Sequence, residues 1–177
     1  ACEDTLPPEL LPQLGRARAE VDAVSLGAWC GVKLALRDLG FEPGASLPFD
    51  WLRCSLEGLS RALKGDFEGF FDWKFKVGPK GFSVVPESHA FVHHDPSRAE
   101  DREAYRRRIE RFRSLAEGAT ARPLVFIRSL ATSLELFDAV DLLALLAERF
   151  GPSRRVRLLL LLDRQPRDAL FTFADRP

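Results

Sequence analysis

Cys30 stands in Val-Ser-Leu-Gly-Ala-Trp-Cys-Gly, where a β-type run gives way to a helical pattern between Gly27 and Gly31. A thiol in a helix's first turn feels the partial positive charge of N–H groups that lack intrahelical partners, which favours the nucleophilic thiolate. On the helical wheel Val32, Leu36 and Leu39 define the core face, whereas Cys30, Lys33 and Arg37 follow i, i+3, i+7 on nearly the opposite side. Two cations on its own face add to the thiolate's preference. The other reading of Cys30 is a small buried hydrophobe, as free cysteine often is. Cys54 falls opposite the leucine stripe of its own segment, with no histidine nearby in sequence, and it and Cys2 are the weaker candidates. Spacing removes several thiol and phosphate chemistries. Leu36 occupies the place of a phosphatase-loop arginine, and Cys-x-x-Cys, Gly-x-Gly-x-x-Gly and the Walker lysine motif do not occur. Gly27 and Gly31 could still shape an anion-binding nest.

All the histidine in the chain lies in Ser-His-Ala-Phe-Val-His-His-Asp, at positions 89, 93 and 94. His89 and His93 have helical i, i+4 spacing, but Pro86 and Pro96 bracket the segment and its valines and aromatic favour a strand. On a strand, positions four apart are roughly 13 Å from each other, too far for one ion, so no metal site is expected. His93 and His94 then point to opposite faces. His94, followed by Asp95 and Pro96 at the strand's end, is the one placed to take a thiol proton while a carboxylate fixes its tautomer. Asp95 is adjacent, and neighbouring side chains diverge, so Asp50 or another acid is the alternative partner. Asp50 also has a plainer explanation as the N-cap of a following helix. A histidine that only hydrogen-bonds is the plainer explanation of His94.

The elements that must position these groups can be read from periodicity. Residues 1–20 form an entry arm with a short helix, and residues 21–177 a single α/β domain. The domain opens with a strand over 21–26 and a helix to about Leu39, stopped by Gly40. A helix then starts at Asp50, with Leu52, Leu56, Leu59 and Leu63 as one stripe. The aromatics between Phe67 and Phe75 read as core or as a lid over it, and residues 82–94 as one or two strands. The arginine-rich stretch 98–117 has Tyr105, Ile109, Phe112 and Ala116 on its apolar stripe. Its acids and bases interleave, which predicts a solvated helix face and not a nucleic-acid patch. Residues 123–128 and 156–163 read as strands flanking a helix over 134–150 that Gly151 closes. That is a βαβ unit, and near-continuous apolar strands imply a parallel sheet covered on both faces. The expected fold is therefore a three-layer, mostly parallel α/β domain with helices on both faces. No helix pattern follows the last strand, which suggests a chain shortened at its C-terminus.

Composition bounds the function. Twenty-six basic residues balance 26 acidic ones, so no global field draws the chain to nucleic acid or an anionic membrane. No apolar run approaches the ~18 residues of a spanning helix, and no secretory leader is visible at the start. Three cysteines make no disulfide framework, which points to a reducing, intracellular setting, expected to be the cytoplasm.

Taken together, several segments resemble the putative papain-like cysteine peptidases, a family of otherwise unknown function. The segments are Ser25-Leu26-Gly27 with Cys30 three residues on, Leu39-Gly40, Pro48-Phe49-Asp50-Trp51, His94-Asp95, Arg107-Arg108-Ile109-Glu110-Arg111-Phe112 and Phe126-Ile127-Arg128. They occur in the family's order over about residues 21–163. The resemblance implies Cys30 as nucleophile, His94 as base, and Asp50 or Asp95 as the acidic partner. It also implies a papain-like α+β alternative, in which the cysteine helix packs on an antiparallel sheet. The reading that follows is a thiol-dependent hydrolase or acyl transferase acting on a peptide or small acyl substrate, without a cofactor. Gly27, Trp29, Gly31 and Arg128 are the candidates for holding substrate or oxyanion. Two other readings stand: a non-catalytic module that binds a protein partner, and an α/β enzyme or binder for a phosphorylated or sugar ligand.

Overall fold

The structure is a computed structural model that describes residues 7–41, 45–117, 122–130, 132–163, 165–167 and 169. Cys2 and the closing stretch from residue 170 lie outside the described residues. A 3-10 turn at Pro8–Leu10 leads into helix α1 (Leu11–Glu20), which buries no side chain but is tied down where Arg18 Nε donates to Leu39 O at 2.6 Å.

The first sheet is parallel, with β1 (Asp22–Ser25), β6 (Leu124–Ser129) and β7 (Val156–Leu161) in the order β1-β6-β7. Ser25 stands beside Ile127, and Phe126 beside Leu158. Central β6 is buried along nearly its whole length, as a strand with neighbours on both edges and cover on both faces should be. On one face Val24, Leu124 and Phe126 join the main core with Leu142, Leu146 and Phe150. Those three come from helix α5 (Ala139–Phe150), which bridges β6 to β7 after a 3-10 turn at Ser133–Asp138. On the other face helix α2 (Gly31–Asp38) sets Val32 and Leu36 against Ala23 and Ile127.

The expected three-layer, mostly parallel arrangement is met only in part. Helix α2 covers β1 and β6 but not β7, whose Arg157, Leu159 and Leu161 are exposed while alternate residues face the core. The apolar run of β7 is therefore a one-sided strand, its leucines divided between core and solvent by the two-residue period.

The second sheet is antiparallel and larger. Strands β2 (Leu52–Cys54), β3 (Phe75–Val77), β4 (Phe82–Val85) and β5 (His89–Phe91) lie in the order β2-β5-β4-β3. Cys54 pairs with His89 across β2 and β5, and Leu52 with Phe91. Leu52 thus leaves the leucine stripe to which its spacing assigned it. The helix starts later, as α3 (Leu56–Lys64), and its N-cap is Ser55, whose Oγ accepts from Gly58 N at 3.1 Å. Asp50 does not cap it. Helix α4 (Ala99–Ser114) buries Tyr105, Ile109 and Phe112 and turns most of its charge outward, with Arg108 half-buried. Because α2 packs on the parallel sheet, the papain-like arrangement of the cysteine helix is not reproduced.

Candidate functional site

The turn that delivers Cys30 is tightly constrained. Gly27 (φ 69°) and Ala28 (φ 83°) both have left-handed backbone, which is costly for an alanine. A Cβ on Gly27 would lie 2.4 Å from Phe49 O, so only glycine fits. Three bonds fix the path: Gly27 N to Ser25 Oγ at 3.2 Å, Ser129 N to Gly27 O at 3.2 Å, and Cys54 N to Ala28 O at 3.4 Å. The Trp29 ring lies against Gly31, where a Cβ would come within 2.4 Å of it, and the residue is 49% exposed. Cys30 is the N-cap of α2, half-buried and a free thiol; its carbonyl accepts from Leu34 N at 3.0 Å.

One helical turn on, Lys33 is almost entirely buried, with Nζ 3.8 Å from Asp50 Oδ2. Asp50 sits in the turn before β2 and is 1% exposed. Its Oδ2 accepts from Leu47 N at 2.8 Å, while Oδ1 is buried without a hydrogen-bond partner. Burial raises the carboxyl above its ordinary value, more than the Leu47 N–H, Lys33, the Ser25 hydroxyl and the Arg108 charge pull it down.

His94 follows β5 and is held between two residues of α4 a turn apart. Arg108 Nη2 donates to Nε2 at 3.2 Å, and the Tyr105 hydroxyl lies 3.5 Å from Nδ1. A guanidinium can only donate, so Nε2 is the acceptor and the neutral ring carries its proton on Nδ1. Burial lowers the imidazole's pKa, and the Arg108 charge lowers it further against the opposing pull of Asp101. Arg108 also lies over the Tyr105 ring, 4.5 Å from its centroid. Among the described residues Cys30 Sγ makes no hydrogen bond, and neither Asp50 nor Asp95 is bonded to the His94 ring.

The other candidates are placed as follows. Asp95 accepts from Lys76 Nζ at 2.8 Å, Ser97 Oγ at 2.7 Å and Ser97 N at 3.0 Å, which hold its carboxyl down to about 2. His93 is exposed, edge-on to Trp51. Arg128 is fully buried beneath the Cys30 turn, donating to Leu26 O (3.1 Å), Cys54 O (2.7 Å) and Cys54 Sγ (3.3 Å). It braces the turn from inside. A cavity of about 980 Å³ opens at the carboxyl ends of β1 and β6, lined by Trp29, Cys54, Ser55, His89 and Ser129 among others. That is where parallel sheets bind ligands. His89 faces it with both nitrogens engaged, Nε2 on Phe70 O at 3.1 Å and Nδ1 on Ser88 Oγ at 2.9 Å. Among the described residues no group of three or more His, Cys, Asp or Glu side chains could hold a metal, and no helix is long and apolar enough to cross a membrane.

Sequence reasoning missed Arg108 and Tyr105 as members of this cluster. The available signal was an arginine three residues after the buried Tyr105, at the edge of the apolar stripe. Residues 21–80 match the model of the family described as putative papain-like cysteine peptidase, the family that the motifs resemble. The matched stretch carries Cys30, Lys33 and Asp50, and stops short of His94 and Arg108. No curated protein and no solved structure matches the chain.

Proposed function

We propose that this chain is a thiol-dependent hydrolase or acyl transferase, with Cys30 as nucleophile and His94 as its base, acting on a peptide or small acyl substrate. One observation carries the reading. Three segments remote in sequence converge on one polar group: Lys33, a turn after Cys30, faces buried Asp50, and Arg108, whose charge acts on Asp50, holds His94.

In this reading Cys30, at the start of α2, attacks a carbonyl carbon through its sulfur once His94 has taken the thiol proton. The first-turn N–H groups of α2, which have no intrahelical acceptors, hold the oxyanion that forms. His94, protonated at Nε2 by the thiol, gives that proton to the leaving group as the tetrahedral intermediate collapses to a thioester. Water, or a second nucleophile in a transfer, then releases the acyl group. Asp50 serves by fixing Lys33, not by touching the imidazole. The occupied ring nitrogens favour a second reading, a binding module in which the cluster is structural.

Iodoacetamide labelling across pH 5–9, read by mass spectrometry of the Cys30 peptide, separates the two. The hydrolase reading expects Cys30 in the native protein to react at least about tenfold faster than in the urea-unfolded chain. Equal or slower reaction in the native protein would sink it.

A further inference from the structure

Among the described residues Arg108 has no counter-ion. Its Nη2 is spent on a neutral imidazole nitrogen, its Nη1 is buried without a partner, and among the described residues no carboxylate lies within ion-pairing distance of it. Asp50 feels its charge but pairs with Lys33 instead. The arginines beside it on α4 are committed: Arg107 to Glu103 at 3.5 Å, and Arg111 to Ser46 O at 2.7 Å. Half-buried guanidinium without an anion is an expensive arrangement, and a hydrogen bond to a neutral ring does not discharge it. The same contact blocks His94 Nε2, the atom that must accept the thiol proton. One event resolves both conflicts: arrival of an anion that takes the guanidinium off the ring.

We propose that Arg108 determines the specificity of the site: a carboxylate on the substrate draws its guanidinium away from His94, which anchors the substrate and frees Nε2. This rests on the hydrolase reading and names its substrate class, acyl compounds carrying a carboxylate near the reacting carbonyl. The proton count closes. With Arg108 paired to the carboxylate, the Nε2 lone pair takes the Cys30 proton, leaving a thiolate and an imidazolium whose Nδ1–H still faces the Tyr105 hydroxyl. A planar two-pronged donor suits a carboxylate, which it can hold through both amino groups.

Iodoacetate and iodoacetamide test this, because they deliver the same alkyl group to sulfur and differ in the carboxylate. The rates at Cys30 are compared in the wild-type protein, in Arg108→Gln, and in Arg107→Gln as a control of equal charge change. The expected result for Arg108→Gln is an iodoacetate rate about tenfold lower, the scale of one lost charge-assisted contact. Its iodoacetamide rate should rise instead, because Nε2 is free. Arg107→Gln should leave the ratio of the two rates within about twofold of wild type. If both rates fall together in Arg108→Gln, or if Arg107→Gln changes the ratio as much, Arg108 supplies only general positive charge and the proposal is overturned. Should Arg108→Gln fail to fold, sodium acetate added to the wild-type protein replaces it. Acetate should accelerate iodoacetamide labelling at Cys30 where equal acetamide plus matching sodium chloride does not, and equal effects would overturn the proposal. A wild-type Cys30 no more reactive than in the unfolded chain would instead remove the hydrolase reading itself, and this inference with it.

Discussion

Acid should weaken this fold through one side chain above all. His89 is 6% exposed, stacked on Phe70 with ring centroids 4.4 Å apart, and burial pulls its imidazole from 6.5 down to about 4. Its folded value lies below its unfolded one. The stability it contributes is therefore complete above pH 6.5, declines as pH falls, and is gone near pH 4. Protonating an imidazole held that far down is unfavourable in the fold by about 3 kcal/mol, a large share of a typical domain's total stability. His89→Gln keeps a donor for Phe70 O but cannot titrate. At pH 7.5 the variant should be less stable by about 1–3 kcal/mol, from the lost ring stack and the weaker contact with Ser88. Between pH 7.5 and 4.5 the wild type should lose about 2–3 kcal/mol more than the variant, so that the two converge. Urea unfolding followed by tryptophan fluorescence at both pH values gives the four free energies. Buried Asp50, whose raised carboxyl pKa works in the opposite direction, is present in both proteins and cancels from the difference. Parallel losses, within about 1 kcal/mol, would show that the burial argument for His89 is wrong.

The brace beneath the Cys30 turn makes two further predictions. Arg128→Met removes the donors to Leu26 O and Cys54 O inside the protein, and should cost about 3–5 kcal/mol in urea unfolding; a loss below about 1 kcal/mol would mean the guanidinium is not a strut. Gly27→Ala combines a left-handed backbone with a Cβ 2.4 Å from Phe49 O, and should cost at least about 2 kcal/mol while slowing Cys30 alkylation. Unchanged stability would show that the turn can relax around a methyl group.

Period and punctuation were enough to find β1, α2, α4, β6, α5 and β7, because the apolar positions each buries repeat along its own sequence. They failed where the decision is made elsewhere in the chain. Leu52 fits the stripe of Leu56, Leu59 and Leu63, yet it pairs with Phe91, almost 40 residues on, and the strand wins. Asp50 and Ser55 are both good N-cap residues; once Leu52–Cys54 is a strand, only Ser55 stands at the start of α3. Asp50 is then drawn into the interior by Lys33 and Leu47, a placement that no local pattern encodes. For the site, the Cys30 turn is encoded locally, but Lys33, which the wheel sets opposite the core, is buried as Val32 and Leu36 are, because Asp50 receives it. The clamp on His94 was not legible, since Tyr105 reads as core and Arg108 as surface until β5 and α4 are brought together.

The two described thiols show why the position of a charge matters as much as its presence. Cys54 has a guanidinium 3.3 Å from its sulfur, the stronger electrostatic partner on paper, but Arg128 also serves two carbonyls and the thiol is buried. Its environment answers to packing. Cys30 has no hydrogen-bond partner among the described residues, yet it is half-exposed, at a helix start, beyond a turn that forces alanine into left-handed backbone. One helical turn on, Lys33 meets a buried carboxyl that has one orphan oxygen. The left-handed alanine and the orphan oxygen of Asp50 are each locally unfavourable, although Asp50 also neutralises buried Lys33 and accepts from Leu47 N. Locally unfavourable choices of this kind cluster at functional sites, and the alkylation rate of Cys30 is the measurement that asks whether they serve chemistry there.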